Sequence, residues 1–282
     1  MAPVLSIVIR NYRRFRGEIE LPLSGGMDVI QIPPGMGKSS VAEAVAWCLT
    51  GVMSRPDVIN VEALEAGEDT MVSLTFSDAD NTVLERSMSH VAGVGLMERP
   101  TVRPVGSFEE RREQLFPSAC IDSNIISGAS IGRVMQGERT GGERALEQMK
   151  GWMASDAILR SSMEATSLYL SMVSDPAVSC LIFDERGRLG VQCDGPPSIS
   201  IEEYRTIVLA SALAFARENC PGSPVILDEP FKELGEQAAW RAAEAVAEFM
   251  DGHQLVLLLS EQNEIEALRS TGRLRKELEI MG

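Results

Sequence analysis

The chain has 282 residues, a hydrophobic content of 44% and a formal charge of −15, enough apolar material for one large domain or two small ones. Its longest apolar runs are strand-length, which argues against a membrane-spanning helix, and "MAPVLSIVIRNYRRF" lacks the apolar stretch and cleavage site of a secretory signal. The acidic balance argues against simple nucleic-acid wrapping; five cysteines without a C-x-x-C predict buried free thiols in a reducing compartment such as the cytoplasm; two histidines are too few for a zinc site.

In chain order, "VLSIVIRNY" and "GEIELPL" are predicted strands joined by a polar turn. The stretch "IRNYRRFRG" carries Arg10, Arg13, Arg14 and Arg16, which read equally as a local basic patch or as partners for the many carboxylates. "MDVIQI" is a third strand, and residues 37–50 have helical spacing, with Val41, Val45, Ala46 and Leu49 on one face and Gly51 as the stop. "TMVSLTFSDADNTVLERSMSH" alternates as two strands around "DADN". "FEERREQLF" and "GGERALEQMKGWM" are predicted helices, the first with a solvated face, and an uneven helix covers about 153–172. "AVSCLIFDERGRLGVQCD" reads as a hairpin around "DERGR", and "SIEEYRTIVLASALAFAREN" as a helix whose Ser200 and Glu203 form a capping box. "SPVILDEP" and "HQLVLLLS" are buried strands flanking the helix "EQAAWRAAEAVAEFM", and the last stretch is a helix or a short edge element. Trp47, Trp152 and Trp240 are expected in cores or at helix interfaces. The alternation predicts an α/β fold, a parallel or mixed sheet covered by helices. It divides into an N-terminal lobe over 1–145, a helical connector over 146–174 and a C-terminal lobe over 175–282.

"IQIPPGMGKSS" is the first stretch that carries chemistry. It follows a strand and opens a helix, the context a phosphate-binding loop requires. In G-x-x-x-x-G-K-[ST] the first glycine would be residue 32, which is Ile32. That β-branched residue, followed by Pro33 and Pro34, demands a rearranged loop entrance. The phosphate-facing part is present. Pro34, Gly35, Met36, Gly37 and Ser40 line a backbone cradle, Lys38 reaches the β- and γ-phosphates, and the Ser39 hydroxyl holds Mg²⁺. A glycine-bearing turn with a chance Lys-Ser is the structural alternative. "VILDEP" shifts that balance, because an apolar strand ending in two acids sets Asp228 beside the loop as a metal group and Glu229 as the base that activates water.

The motifs together resemble the ATPase head of SMC, RecF and SbcC-type proteins within the ABC class. "IRNYRRF" is similar to the opening strand and turn of that family, "GMGKSSVAEAVAWCLTG" to its loop and helix, "ISIEEYRTIVLASALAFA" to its signature helix and "VILDEPFKEL" to its second acidic strand. "DEPFK" resembles phage-encoded SbcC-like members. The resemblance implies a P-loop NTPase head, a mixed sheet flanked by helices with an antiparallel β-subdomain. It implies ATP hydrolysis with Mg²⁺, which departures at the nucleotide make slow or reduce to binding, a homodimer that sandwiches ATP, DNA binding in repair or recombination, association with the nucleoid, and a nuclease partner. It carries Arg13 to the phosphates or base and Ser200, from the partner subunit, to the γ-phosphate. Four departures fall at the nucleotide: Ile32; Ile201 and Glu202 for the signature glycines; Ser260 or Glu261 for a switch histidine; and Ser127 for a glutamine. No heptad run appears between about 142 and 174, where relatives extend a coiled coil, and "RTGGERA" there is a natural turn or a splice point. A non-catalytic regulator with an acidic surface is the alternative function. A small-molecule kinase would explain "GKSS" but not the signature-like helix.

Overall fold

The structure, a computed structural model, describes residues 2–52, 58–127, 155–184, 189–193 and 199–280. The predicted helix "GGERALEQMKGWM", the "RTGGERA" stretch, Trp152 and the tip of the "DERGR" hairpin lie outside them.

Ten strands form two five-stranded sheets. The first sheet is antiparallel throughout, in the order β2 (Glu18–Pro22), β1 (Val4–Arg10), β4 (Thr70–Phe76), β5 (Val83–Val91), β6 (Gly95–Arg103). The turn at "DADN" forms because Asp78 accepts from both the amide and the hydroxyl of Thr82, at 2.6 and 2.7 Å. β6 has no buried face for the sequence to advertise, and Pro100 interrupts it. An edge strand tolerates both, since one of its sides needs no ladder donors.

The second sheet is parallel at every pairing. Its order is β12 (Leu274–Glu279), β3 (Met27–Gln31), β11 (Leu255–Leu259), β10 (Val225–Asp228), β7 (Ile125–Ser127). The two acids therefore do not stand on the strand next to the phosphate loop, because β11 lies between β3 and β10. A hairpin of β8 (Cys180–Phe183) and β9 (Leu189–Gln192) stands separately.

Alternation along the parallel strands sorts the core into two layers. Ile30, Ile226, Val256 and Leu258 point to one face, with α1 (Lys38–Thr50) and the antiparallel sheet. Val29, Leu227, Leu255, Leu257 and Leu259 point to the other. There they pack with α5 (Ser155–Met172), α6 (Ile201–Asn219), α7 (Glu236–Phe249) and α8 (Gln262–Ser270). Burial on both faces explains why "LVLLL" and "VIL" read as continuous apolar runs. Three short helices carry little periodic signal: α2 (Val61–Glu65), α3 (Phe108–Leu115) and α4 (Ser118–Asn124). In α3 the face expected in solvent is partly sunk. Phe108, Arg112 and Leu115 are buried, and the Arg86 guanidinium lies 5.0 Å over the Phe108 ring.

The expectation of five free thiols is corrected. Cys120 of α4 and Cys220, the C-cap of α6, are joined as a disulfide, with Cα atoms 5.9 Å apart and 100 residues between them in sequence. Spacing along the chain cannot show such a pair; only packing of α4 on α6 does. Cys48 stays free and buried, and desolvation lifts its thiol to about 12. Trp47 is in the core, as its helical position predicts, and Trp240 is half-buried with its indole donating to Glu244 at 3.0 Å. No helix among the described residues is long and apolar enough to cross a membrane.

Candidate functional site

The carboxyl end of β11 organises the site. Ile32, one residue past β3, donates its amide to the Leu259 carbonyl at 2.9 Å, and Glu229, one past β10, donates to the Leu258 carbonyl at 3.1 Å. Ile32 is fully buried in the core, so the departure at the first glycine position fills space instead of opening it. The loop then turns tightly, Met36 donating to the Pro33 carbonyl at 3.1 Å. Its left-handed residues are Gly35 (φ +80°) and Gly37 (φ +99°), where any larger side chain would be strained. At Gly37 an added Cβ would also meet the Phe15 ring at 3.3 Å.

Lys38 opens α1 and is only 6% exposed. Its ammonium donates to the Ile32 carbonyl at 3.1 Å and pairs with Glu229 Oε1 at 3.1 Å. Glu229 Oε2 pairs with Lys232 at 2.9 Å. Burial pushes the Glu229 carboxyl up, but hydrogen bonds from Lys232 and Lys38 outweigh it and hold the group below the usual carboxylate range. Glu229 has a left-handed backbone (φ +49°), rare for a side chain of its kind and characteristic of sites where position outranks strain.

Asp228 ends β10 at 2% exposure. Burial raises its pKa, opposed by a hydrogen bond from Ser39. Among the described residues its Oδ1 has no hydrogen-bond partner. An orphaned buried carboxylate oxygen beside a hydroxyl is a pair of hard ligands that suits Mg²⁺, which takes one or two protein oxygens and completes its shell with phosphates and water. The described residues hold no group of three or more His, Cys, Asp or Glu able to bind a metal alone. The residues present fit Mg²⁺ with a phosphorylated ligand, and they fit no self-contained metal centre.

The structure thus brings Lys38, Ser39, Asp228 and Glu229 into one place, with Gly35 and Gly37 shaping the loop beside them. Arg13 and Ser200 are spent differently. The Arg13 guanidinium pairs with Glu43 of α1 and lies 5.8 Å over the Tyr12 ring. It is Arg14 that reaches the loop, donating to the Gly35 carbonyl. Arg10 pairs with Glu18 at 3.9 Å and Arg16 with Glu68, so most of the basic stretch is consumed by carboxylates. Ser200 is the exposed N-cap of α6 and accepts the Glu203 amide at 3.1 Å. The capping box is half made, because the Glu203 carboxylate turns to the Tyr169 hydroxyl and to the Ala177 amide, the latter at 2.7 Å. Ile201 is 67% exposed at the start of the helix. Sequence reasoning missed Arg205, which holds α6 to the turn after the acids through Glu233 at 2.7 Å and the Lys232 carbonyl at 3.2 Å. A cationic residue one turn into a signature-like helix was its only signal. Beside Glu229 opens a cavity of about 500 Å³ lined by Pro34, Lys232, Ser260, Glu261 and Glu264, among others.

No family model matches the chain, and no curated protein matches it in sequence. Among solved structures it is similar to an Smc head bound to the C-winged helix domain of ScpA, at TM-score 0.73 and 16% identity over 94% of this chain and 92% of that one. It is also similar to the Smc head with an extended coiled coil bound to the C-terminal domain of ScpA from Pyrococcus furiosus, at 0.72 and 14% over 95% and 92%. The SMC head domain from Thermotoga maritima matches at 0.59 and 15% over 94% and 92%. At such identities the likeness speaks for architecture: the chain has the fold of an SMC head.

Proposed function

We propose that this head binds MgATP between the phosphate loop and the acid pair, hydrolyses it slowly, and dimerises around it to control DNA binding in repair or recombination. The observation that carries the reading is the meeting of the buried Lys38 ammonium with Glu229 at 3.1 Å, next to a Ser39–Asp228 pair that keeps one buried oxygen free. Without ligand, Glu229 neutralises Lys38. A triphosphate on the loop competes for that ammonium, which releases the Glu229 carboxylate toward the water it activates. Ser39 and Asp228 would hold Mg²⁺, which when bound offsets charge on the phosphate oxygens. Pro34, Gly35, Met36, Gly37 and Ser40 orient the phosphates by backbone and hydroxyl, Arg14 steadies the loop, and Arg13 acts at the site only if it leaves Glu43. In the dimer, Ser200 of the partner subunit closes the site. The fold's likeness to two heads that are bound to a domain of ScpA also favours a protein partner on this head.

The test is ATP turnover by the wild type and by Glu229→Gln. The substitution is expected to abolish turnover and to trap a nucleotide-bound dimer, read as doubled mass in solution. A Glu229→Gln chain as active as the wild type would overturn the assignment. A regulator without turnover is the second reading, favoured by Ile201 and the acidic Glu202 standing where close approach to phosphate is needed. It is distinguished by an absence of turnover in the wild type. Duplex-DNA binding that weakens steeply with salt supports the DNA role.

A further inference from the structure

Ser260 or Glu261 stands where the resemblance would put a switch histidine, and just beyond them the most secluded acid of this region is Glu264. Glu264 lies in the first turn of α8, is 6% exposed and lines the cavity that Glu229 lines. No hydrogen bond or ion pair reaches its carboxyl from any described residue, while its backbone amide donates to the Asn263 side chain at 3.0 Å. The ionisable groups around it are Glu261 at its own N-cap, Glu229, Lys232 and Glu233 from the turn after β10, Glu236 from α7 and Lys38 from α1. Several of these are engaged with one another. Lys38 and Lys232 both hold Glu229, and Arg205 holds Glu233. None of these three cations makes an ion pair with Glu264 among the described residues.

We propose that Glu264 is a proton-linked residue of the nucleotide site: it must carry a proton for a triphosphate to occupy the cavity's edge, so that nucleotide binding takes up a proton. The inference rests on the nucleotide-binding reading above. A buried carboxyl without a cation avoids charge by protonation. Burial, together with the charges of Glu261 and Glu229, pushes its pKa to about 7, against a smaller opposing pull from Lys38. A triphosphate both adds negative charge beside it and draws Lys38 away, so the bound state raises the group's proton affinity further. Protonated, the carboxyl also offers an O–H donor toward the cavity, which the ionised form lacks.

The sign follows. Below the free-state pKa the group is neutral in both states and ATP affinity is insensitive to it. Above pH 7 the free protein loses the proton that the complex retains, and affinity falls by up to about tenfold per pH unit, the slope of a one-proton linkage. The experiment measures MgATP affinity of the full chain from pH 6 to 9 by calorimetry in buffers of different ionisation enthalpy. The wild type should take up close to one proton above pH 7, whereas Glu264→Gln and Glu264→Ala should bind with little pH dependence and no uptake from this source. If the wild type binds MgATP and both variants keep its slope, the proposal is overturned while nucleotide binding stands. If the wild type binds no MgATP at any pH, the binding reading fails and this one with it. Thermal unfolding without nucleotide supplies the second measurement. Because the folded pKa lies above the unfolded one, the wild type should lose stability between about pH 4.5 and 7 relative to Glu264→Gln. Equal pH slopes would show that Glu264 does not titrate there, which also overturns the proposal.

Discussion

Lys38 illustrates what a buried ammonium requires. At 6% exposure it must be paired, and the chain pairs it with the carboxylate assigned as the base. Lys38→Ala is expected to weaken ATP binding by at least about tenfold, the order of one charge-assisted contact, while Glu229 keeps Lys232. Unchanged affinity in an equilibrium titration would rule out the loop's placement. The two neighbouring arginines should separate cleanly. Arg13→Ala strands Glu43 in a partly buried position and is expected to cost roughly 2 kcal/mol of stability, at the low end for a broken ion pair. Arg14→Ala should leave the denaturation midpoint nearly unchanged and loosen nucleotide binding instead. Lys38, Ser39, Asp228 and Glu229 were legible because phosphate chemistry demands those types next to glycines and a strand end. The division of labour between Arg13 and Arg14 was not. It depends on a left-handed backbone at Arg13 (φ +50°) that no local pattern announces.

Among the elements, the periodic helices and the apolar strands were legible, whereas the shortest helices and strands and the exposed edge strand β6 were not. α1, α6 and α7 are amphipathic or flanked by clear stops, whereas α2 has 5 residues and β7 has 3, too few to display a period. The last stretch of the chain proved to be both a helix and an edge strand, α8 followed by β12. The cap of α6 gives a prediction at this scale. Ser200→Ala should cost about 1 kcal/mol in chemical denaturation, and Ser200→Gly only a few tenths. A dimerisation defect exceeding that loss in both variants would mark the hydroxyl as a contact to the partner's nucleotide. The missing half of the capping box has a tertiary cause. Glu203 is buried between α6 and the segment before β8, where the Tyr169 hydroxyl and the Ala177 amide outcompete its own helix.

For the molecule as a whole, one sheet with two apolar faces holds both layers together, and the Cys120–Cys220 bond adds a covalent tie from α4 to the end of α6. Cys220→Ser is expected to destabilise the oxidised protein by about 2–4 kcal/mol, because a bond closing so long a loop restricts the unfolded chain. Denaturant titrations with and without reductant check this, and identical midpoints would show that the bond is absent in solution. The amino-acid sequence by itself determined the order of the longer helices and the apolar strands, the glycine-bearing loop that opens α1 and the acid pair that ends β10, because each depends on residue types within a few positions of one another. Only the tertiary structure decided that β11 separates β3 from β10, that Cys120 meets Cys220, that Arg14 and not Arg13 reaches the loop, and that Glu264 lines the same cavity as Glu229. Those are contacts between segments far apart in the chain or choices between adjacent residues, and burial and packing set them without leaving a periodic trace.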